Sequence, residues 1–251
     1  MVVDIHTHVL PKTDDGSQSI EESLAMLDLI EKDGITDVVF TPHFYFRNQH
    51  ISSFLEKRKS AYDQLRSKYS GSIQFHLGAE TEFSCLKIEY KIFRSLGIDG
   101  GKYILLELPY DGDHAKNIIS RIEQFIYDSD MVPIIAHVER YLFIQKDPGA
   151  VADLINAGCL IQVNADSVIR SKKGSLVDAL FKHDQIHLLG SDCHHIEERV
   201  PCLKKALDVV CASYGQACVS ALMDISEAVM KQKRIVLSTE DKIHKIFGSY
   251  K

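Results

Sequence analysis

Nine side chains that could bind metal ions lie near the predicted ends of successive strands of this chain. The first are in the run DIHTH at residues 4–8, and the last are in the run SDCH at residues 191–194. Residues i and i+2 of a strand point to the same face, so His6 with His8, and Asp192 with His194, can each direct two ligands into one cavity. Histidine and carboxylate ligands without thiolate suit Mn, Fe or Zn. This pattern predicts a hydrolase that uses more than one metal ion.

Short apolar strands that alternate with amphipathic helices would position these ligands. Strands are predicted at residues 2–5, 37–40, 73–79, 103–106, 132–136, 160–163 and 187–190. Helices are predicted from the capping box at residues 19–22 to Gly34, and then at 51–70, 84–95, 114–128 and 149–157. Strands that are apolar on both faces pair in parallel, and right-handed crossovers wind such units into a barrel or an open sheet. We predict the barrel, an α/β fold of the distorted (β/α)7 TIM-like type.

The candidate ligands fall where such a barrel carries its chemistry, at the carboxyl ends of the strands. In chain order the strands are followed by His6 and His8, His43, Glu80, Glu107, His137, and, after the seventh strand, Asp192 and His194. The sixth strand is the exception, because it offers only Asn164 and Asp166. We interpret these two as polar groups that line the pocket.

Length and composition indicate a soluble protein with one domain. A chain of 251 residues with 45% apolar residues can bury one large core, so residues 1–251 are predicted to form a single domain with a helical tail from about residue 215. The net charge of −6 gives no general attraction for nucleic acids, and no apolar run approaches the roughly 18 residues of a membrane span. The six cysteines include no C-x-x-C pair and are expected to be free thiols. A candidate ligand as early as His6 leaves no room for a cleaved signal, so we expect a cytoplasmic location.

The motifs together resemble a known superfamily. The chain carries, in order, DIHTH at 4–8, DDG at 14–16, TPH at 41–43, GAE at 78–80, AHVERY at 136–141 and SDCH at 191–194. This ordered set is similar to the PHP (polymerase and histidinol phosphatase) superfamily, and most narrowly to its bacterial CpsB/YwqE-type manganese-dependent protein tyrosine phosphatases. The resemblance covers roughly residues 2–200. It implies a distorted PHP barrel, a trinuclear metal centre, a cytoplasmic location, and hydrolysis of phosphotyrosine on a tyrosine autokinase that controls capsule or exopolysaccharide synthesis.

The resemblance also implies a role for each candidate ligand. His6, His8, Glu80 and Asp192 would hold one ion; Glu80 would bridge to a second ion held with Glu107 and His137; and Asp15, His43 and His194 would hold a third. Mn²⁺ is the ion expected, with Fe or Zn as alternatives. Glu107 stands where much of the superfamily has histidine, and glutamate is what the tyrosine phosphatase branch shows. The neighbouring Asp14 is an alternative to Asp15, since the motif is also an ordinary turn signal.

Two arginines match residues that face the substrate in the tyrosine phosphatase branch. Arg140 and Arg199 could clamp phosphoryl oxygens and stabilise the charge of the transition state. The reaction implied is that of a phosphoric monoester hydrolase, with in-line attack by metal-activated water and no phosphoenzyme. Arg47, in an aromatic loop after His43, is a weaker candidate for contacting phosphotyrosine, and His195 is a candidate neighbour of the site.

Alternatives to these assignments remain open at the level of the sequence. The histidines could be hydrogen-bonded barrel residues, Arg140 could pair with a carboxylate, and Arg199 could be a solvated residue at a helix start. Cys193 and Arg199 have the C-x5-R spacing of cysteine-dependent tyrosine phosphatases, but the loop between them has no glycine and carries two glutamates that would oppose phosphate. As a whole, the chain could instead be a small-molecule phosphatase for histidinol phosphate or a related metabolite, or a regulatory module with a degraded site.

Overall fold

The computed structural model describes residues 1–83, 90–110, 115–246 and 248–251. The strands are β1 Val3–Thr7, β2 Asp37–Phe40, β3 His43–Phe44, β4 Gln74–Leu77, β5 Glu80–Glu82, β6 Tyr103–Glu107, β7 Val132–Ile135, β8 Leu160–Asn164, β9 Leu188–Gly190, β10 Lys245–Ile246 and β11 Ser249–Tyr250. The helices are α1 Ile20–Lys32, α2 Ile51–Lys68, α3 Tyr90–Phe93, α4 Ala115–Ser129, α5 Leu142–Lys146, α6 Ala150–Asn156, α7 Ala165–Arg170, α8 Leu176–Lys182, α9 Leu203–Tyr214 and α10 Gln216–Met230. Residues 84–89, the first half of the helix predicted at 84–95, lie outside the described residues.

The strands β1 to β9 are parallel and form two curled sheets. Their orders are β1-β2-β4 and β3-β5-β6-β7-β8-β9. A parallel bridge between Thr7 and Cys193 joins the end of β1 to the segment after β9. This arrangement confirms the predicted distorted TIM-like barrel.

The distortion arises because the second and third predicted strands are each broken in two. The second is divided into β2 and β3 at Thr41 and Pro42, and the third into β4 and β5 at Gly78 and Ala79. Pro42 has no backbone N–H to give to a strand ladder. The first halves, β2 and β4, lie in the sheet of β1, whereas the second halves, β3 and β5, lie in the sheet of β6, so His43 and Glu80 belong to the larger sheet. Seven strand positions therefore produce nine parallel strands.

Ser19 caps the start of α1 as predicted, but the Glu22 side chain accepts the backbone N–H of Gln18 and not that of Ser19, as a complete capping box would require. The Ser19 side chain accepts the backbone N–H of Glu22 at 3.1 Å, and the acidic first turn complements the positive end of the helix dipole. The buried face of α1 carries Met26, Leu27 and Ile30, which join the large core between the strands and the outer helices. The helix ends before Gly34, whose φ of 76° is left-handed, as the sequence predicted.

A smaller core lies on the face of the strands that carries the polar centre. It includes Val3, Leu105 and Leu160 of three strands and Val229 of α10. In β8, Leu160 of this core and the buried polar Gln162 are two residues apart and share one face. The barrel interior is thus apolar at one end and polar at the other, and α10 packs against the apolar end.

The chain after Gly215 is helical only as far as Met230. Beyond α10 the described residues form an extended segment that ends in the antiparallel hairpin of β10 and β11. The prediction of a helical tail was therefore right for α10 and wrong for the last part of the chain. No helix of the described residues is long and apolar enough to span a lipid bilayer. The five cysteines of the described residues are free thiols, and Cys85 lies outside them.

Candidate metal centre

Two histidines and two carboxylates meet at the polar end of the barrel. Nε2 of His6 lies 3.1 Å from Nε2 of His8 and 3.1 Å from Oε2 of Glu80. Oδ1 of Asp192 is 3.5 Å from the Nε2 atoms of both histidines. All four side chains are buried. The structure thus brings together the four residues that the resemblance assigns to one ion.

A bulge in β1 directs both histidines to this point. The register between β1 and β2 shifts between Asp4 and Thr7, because β1 contains one residue more than its partner there. A bulge re-aims the side chains that follow it. As a result, Ile5 packs in the smaller core while the next residue, His6, also faces the centre.

Glu80 also belongs to a second group of ligand atoms. It lies with His43 and Glu107, with one ligand atom of each residue within 4.8 Å of the others. Nε2 of His137 lies 2.7 Å from Oε1 of Glu80 and 3.9 Å from Oε1 of Glu107. The resemblance grouped Glu80 and Glu107 with His137 alone. The structure places His43 beside the two carboxylates as well, with its Nδ1 3.1 Å from Oε2 of Glu80.

The third group separates the two aspartates of the turn at residues 14–16. Asp15 lies with His8, His43 and His194, and its Oδ1 is 3.6 Å and 3.5 Å from the Nε2 atoms of His43 and His194. Asp14 instead lies behind His8, with its Oδ2 2.6 Å from Nδ1 of that ring. A carboxylate that holds the second nitrogen of a ligand histidine fixes the orientation of the ring. The geometry therefore favours Asp15 as the ligand candidate and Asp14 as the residue that orients His8.

Three of the predicted site residues have left-handed backbone conformations. His137 follows β7 with φ of 34°, Asp192 follows β9 with φ of 52°, and Arg199 has φ of 50°. Such angles are unfavourable for residues other than glycine, and they concentrate at functional sites where the surrounding structure holds them. The turns they make direct the His137 and Asp192 side chains to the centre instead of continuing the strands.

Negative charge concentrates on two buried carboxylates. Burial alone would raise the pKa of Glu80, but the charge on His6 and hydrogen bonds from His137 hold this pKa well below its usual value. The charges of His6 and His8 likewise outweigh burial and lower the pKa of Asp192. Burial, together with the charge of Glu80, raises the pKa of Glu107. Buried carboxylates that stay ionised need cations close by, which is the setting of a metal centre.

Gln162 and Asn164 of β8 connect three of the ligand candidates. Gln162 Oε1 accepts the backbone N–H of His137 at 2.7 Å and lies 3.3 Å from Nδ1 of His6. The Gln162 amide donates to Asn164 Oδ1 at 2.9 Å, and the Asn164 amide donates to Asp192 Oδ2 at 2.7 Å. The sequence predicted Asn164 as a pocket group but missed Gln162. Gln162 lies two residues before Asn164, on the same face of an otherwise apolar strand, and this spacing could have identified it as a second pocket residue.

Arg140 and Arg199 both reach the edge of the centre. Nη1 of Arg140 is 3.2 Å and Nη2 of Arg199 is 2.5 Å from Oδ2 of Asp192. Arg199 Nη1 also lies 2.9 Å from Nε2 of His194. Their side chains remain 43% and 40% exposed, so each keeps donors that an incoming anion can reach.

Two open cavities flank the centre, and they share no lining residue among the described residues. The charged cavity, of about 730 Å³, is lined by Asp33, Arg140, Asn164, Asp166, Ser167, Ile169, Arg170, Ser191, Asp192, Glu197, Glu198, Arg199, Val200, Pro201, Cys202 and Lys205. The aromatic cavity, of about 830 Å³, is lined by Tyr45, Phe46, Arg47, Glu82, Phe83, Glu107, Leu108, Pro109, Tyr110 and Arg121. The predicted pocket residues Asn164 and Asp166 thus lie in the charged cavity, and Arg47 lies in the aromatic cavity. His195 is set back from both, with its Nδ1 2.9 Å from Oε1 of Glu22.

The C-x5-R spacing does not form a cysteine nucleophile. Cys193 is fully buried, and burial, together with the charge of Asp4, raises the pKa of its thiol well above the usual value. A catalytic cysteine needs an accessible, low-pKa thiolate. Arg199 points instead to Asp192 and His194. Cys193 is therefore a core residue next to the centre.

The sequence of this chain is similar to those of known proteins from two bacteria. The chain is 28% identical over 231 residues to the tyrosine-protein phosphatase CpsB of Streptococcus pneumoniae, which covers 85% of this chain and 91% of that protein. It is 26% identical over 266 residues to the tyrosine-protein phosphatase YwqE of Bacillus subtilis, with 99% of this chain and 100% of that protein covered.

A solved structure has the same fold. It comes from work described as crystal structures of YwqE from Bacillus subtilis and CpsB from Streptococcus pneumoniae, unique metal-dependent tyrosine phosphatases. It superposes with a TM-score of 0.80 at 23% identity and covers 93% of this chain and 96% of its own. A family model described as capsular polysaccharide synthesis, CpsB/CapC, matches residues 2–231. Since that match spans nearly the whole chain, the protein belongs to the CpsB/CapC family.

Proposed function

We propose that this protein is a metal-dependent protein tyrosine phosphatase that acts in capsule or exopolysaccharide synthesis. Its substrate would be phosphotyrosine on a cytoplasmic tyrosine autokinase, and residues 1–251 would form a single catalytic domain. The observation that carries the proposal is the convergence of nine ligand candidates, of which eight are buried or partly buried and Asp15 is exposed, beside two partly exposed arginines. The names of the relatives from Streptococcus pneumoniae and Bacillus subtilis support the same activity.

The residues of the centre fit a group of divalent cations. Asp192 Oδ1 is buried and has no hydrogen-bond partner within the described part of the chain, although two imidazole nitrogens lie 3.5 Å from it. Two Nε2 atoms only 3.1 Å apart, those of His6 and His8, could share at most one proton. A cation would satisfy all of these atoms at once. The donor set of imidazole and carboxylate suits Mn²⁺, Fe or Zn, and its three groups could hold up to three ions.

The ions would supply Lewis acidity toward the phosphoryl oxygens and hydroxide near neutral pH. The remaining tasks belong to side chains of this chain. Asp14 holds His8, and Gln162 holds His6 and the His137 backbone, so the ligands need not reorganise as the reaction proceeds. Arg140 would bind phosphoryl oxygens from the charged cavity.

Arg199, which contacts Asp192 and His194, would stabilise the negative charge of the phosphoryl group. In this structure the Arg199 guanidinium contacts Asp192, and a dianionic phosphoryl group would compete with Asp192 for it. Because Asp192 already has Arg140 and Asn164 as partners, it would not be left unpaired when Arg199 turns to the substrate. Arg199 could thus turn from Asp192 to the substrate while Arg140 and Asn164 keep the buried carboxylate paired.

The test is initial-rate hydrolysis of matched phosphotyrosine and phosphoserine peptides and of histidinol phosphate. Chelator-stripped protein would be assayed alone and after addition of Mn²⁺, Fe²⁺, Zn²⁺ or Mg²⁺. We expect selective phosphotyrosine hydrolysis that returns with Mn²⁺. Hydrolysis of histidinol phosphate alone would contradict the protein substrate, and full activity in the stripped protein would contradict the metal centre.

A further inference from the structure

The aromatic cavity has the composition of a site for an aromatic ring beside the centre. Tyr45, Phe46 and Tyr110 line it and are 37%, 44% and 40% exposed. Aromatic side chains clustered at a concave surface mark a binding site more often than scattered exposed residues do. Among the described residues, by contrast, no aromatic side chain lines the charged cavity. The two sides of the centre therefore differ in what they can bind.

The two tyrosines are held in place by candidate ligands. Tyr45 stacks on His43, with ring centroids 5.0 Å apart and planes inclined by 21°. Tyr110 lies nearly parallel to His137, with centroids 6.1 Å apart and planes inclined by 16°, and its hydroxyl donates to Glu107 at 3.0 Å. Both rings thus lie at the border between the metal ligands and the cavity.

We propose that Tyr45 and Tyr110 form the subsite for the aryl ring of the substrate, and that they make the enzyme prefer aryl over alkyl phosphates. This inference rests on the proposed function and adds the direction in which the substrate binds. The phosphoryl group would lie between the ligands and the two arginines of the charged cavity. The ring would then point away from those arginines, into the aromatic cavity. A serine phosphate has only one methylene between phosphate and backbone, so it cannot fill this subsite.

The test compares two non-hydrolysable ligands that differ only in the ring, phenylphosphonate and methylphosphonate. Their affinities would be measured by calorimetry on Mn²⁺-loaded protein. Tyr45→Leu and Tyr110→Leu keep an apolar side chain but remove the ring, whereas Tyr45→Phe and Tyr110→Phe keep the ring. Tyr127→Leu is the control, since Tyr127 is 86% exposed and lines neither of the two cavities.

Each leucine variant is expected to reduce the preference for phenylphosphonate over methylphosphonate by about fivefold to tenfold. The phenylalanine variants and Tyr127→Leu should keep the preference of the unmodified protein. An unchanged preference in both leucine variants would overturn the subsite. Because binding is measured without turnover, a protein that shows the tyrosine-dependent preference but hydrolyses no phosphotyrosine peptide would refute the proposed function alone. Phosphotyrosine hydrolysis with a ring preference independent of both tyrosines would refute the subsite alone.

Discussion

Gly190→Ala should disturb the centre without replacing a candidate ligand. Gly190 ends β9, two residues before Asp192. A methyl group at this position would lie 2.5 Å from Cβ of His6 and 3.2 Å from Nε2 of Gln162. Carbon atoms in contact are normally about 3.5–4.0 Å apart. His6 would therefore have to move by about 1 Å, and because His6 lies in a β-strand, the backbone must move with it.

The size of the effect follows from this displacement. Overpacking of a tight core costs about 1–3 kcal/mol of unfolding free energy. A misplacement of about 1 Å at a reacting centre can cost about 100-fold in rate. Gly190→Ala is thus expected to lower kcat by about 10-fold to 100-fold and to weaken metal binding, while the protein still folds.

The matched control is Gly78→Ala, at the break between β4 and β5. There the nearest side-chain atoms, on Thr41 and Val39, would each lie 3.4 Å from the new methyl group, which is ordinary contact. Without a clash, a glycine-to-alanine change is neutral or stabilises by about 0.4–1 kcal/mol. The assays are urea unfolding, metal content after dialysis and phosphotyrosine hydrolysis. A Gly190→Ala protein with the metal content and rate of the Gly78→Ala protein would refute the proposed dependence of the centre on the position of His6.

Three further experiments, with four substitutions, test separate parts of the structure. Cys193→Ser should keep most of the activity while Asp192→Asn loses it, and the reverse ranking in a phosphatase assay would contradict the metal mechanism. Gln162→Leu should lower metal affinity by about 10-fold to 100-fold in a competition titration, because it leaves the His137 N–H unpaired; unchanged affinity would show that the amide has no role in the centre. The His187→Asn protein should lose less unfolding free energy in acid than the unmodified protein does. Burial lowers the pKa of His187 from 6.5 to about 4. The neutral side chain therefore makes its full contribution to the free energy of unfolding above pH 6.5. This contribution, on the order of 3 kcal/mol, is lost as the pH falls toward 4. Asparagine could still accept the Ile161 N–H, as His187 does at 2.9 Å, but it does not titrate. If the urea midpoints of the variant and of the unmodified protein fell by the same amount between pH 7 and pH 4, this role of His187 would be contradicted.

Much of the fold followed from local patterns. The alternation of apolar strands with helices predicted the barrel, and the capping box at residues 19–22 predicted the start of α1, because these signals act between residues close in the sequence. The breaks at Pro42 and Gly78 were not predicted. Whether a strand stays paired with one neighbouring strand or changes to another depends on contacts across the sheet, and a local sequence pattern does not contain this information.

The candidate ligands were also accessible from the sequence, since most lie near strand ends and all but Glu107 lie in a recognisable motif. Their grouping was less accessible: His43 lies between two of the three groups, although the resemblance gave it to one. Distances between side chains of different strands depend on the stagger and curvature of the barrel. These are properties of the closed sheet and not of any segment of it.

The sequence by itself determined the chemistry that this protein can perform, because residue types and their order at strand ends fix which ligands and cations are available. Only the tertiary structure decided the role of each residue and of each cavity around the centre. It separated Asp14 from Asp15, joined Gln162 to three ligand candidates, and placed the aromatic and charged cavities on different sides of one centre. The physical reason is that hydrogen bonds and burial act over a few ångströms in space, between residues that the chain itself separates by up to 187 positions, as for Asp4 and Ser191.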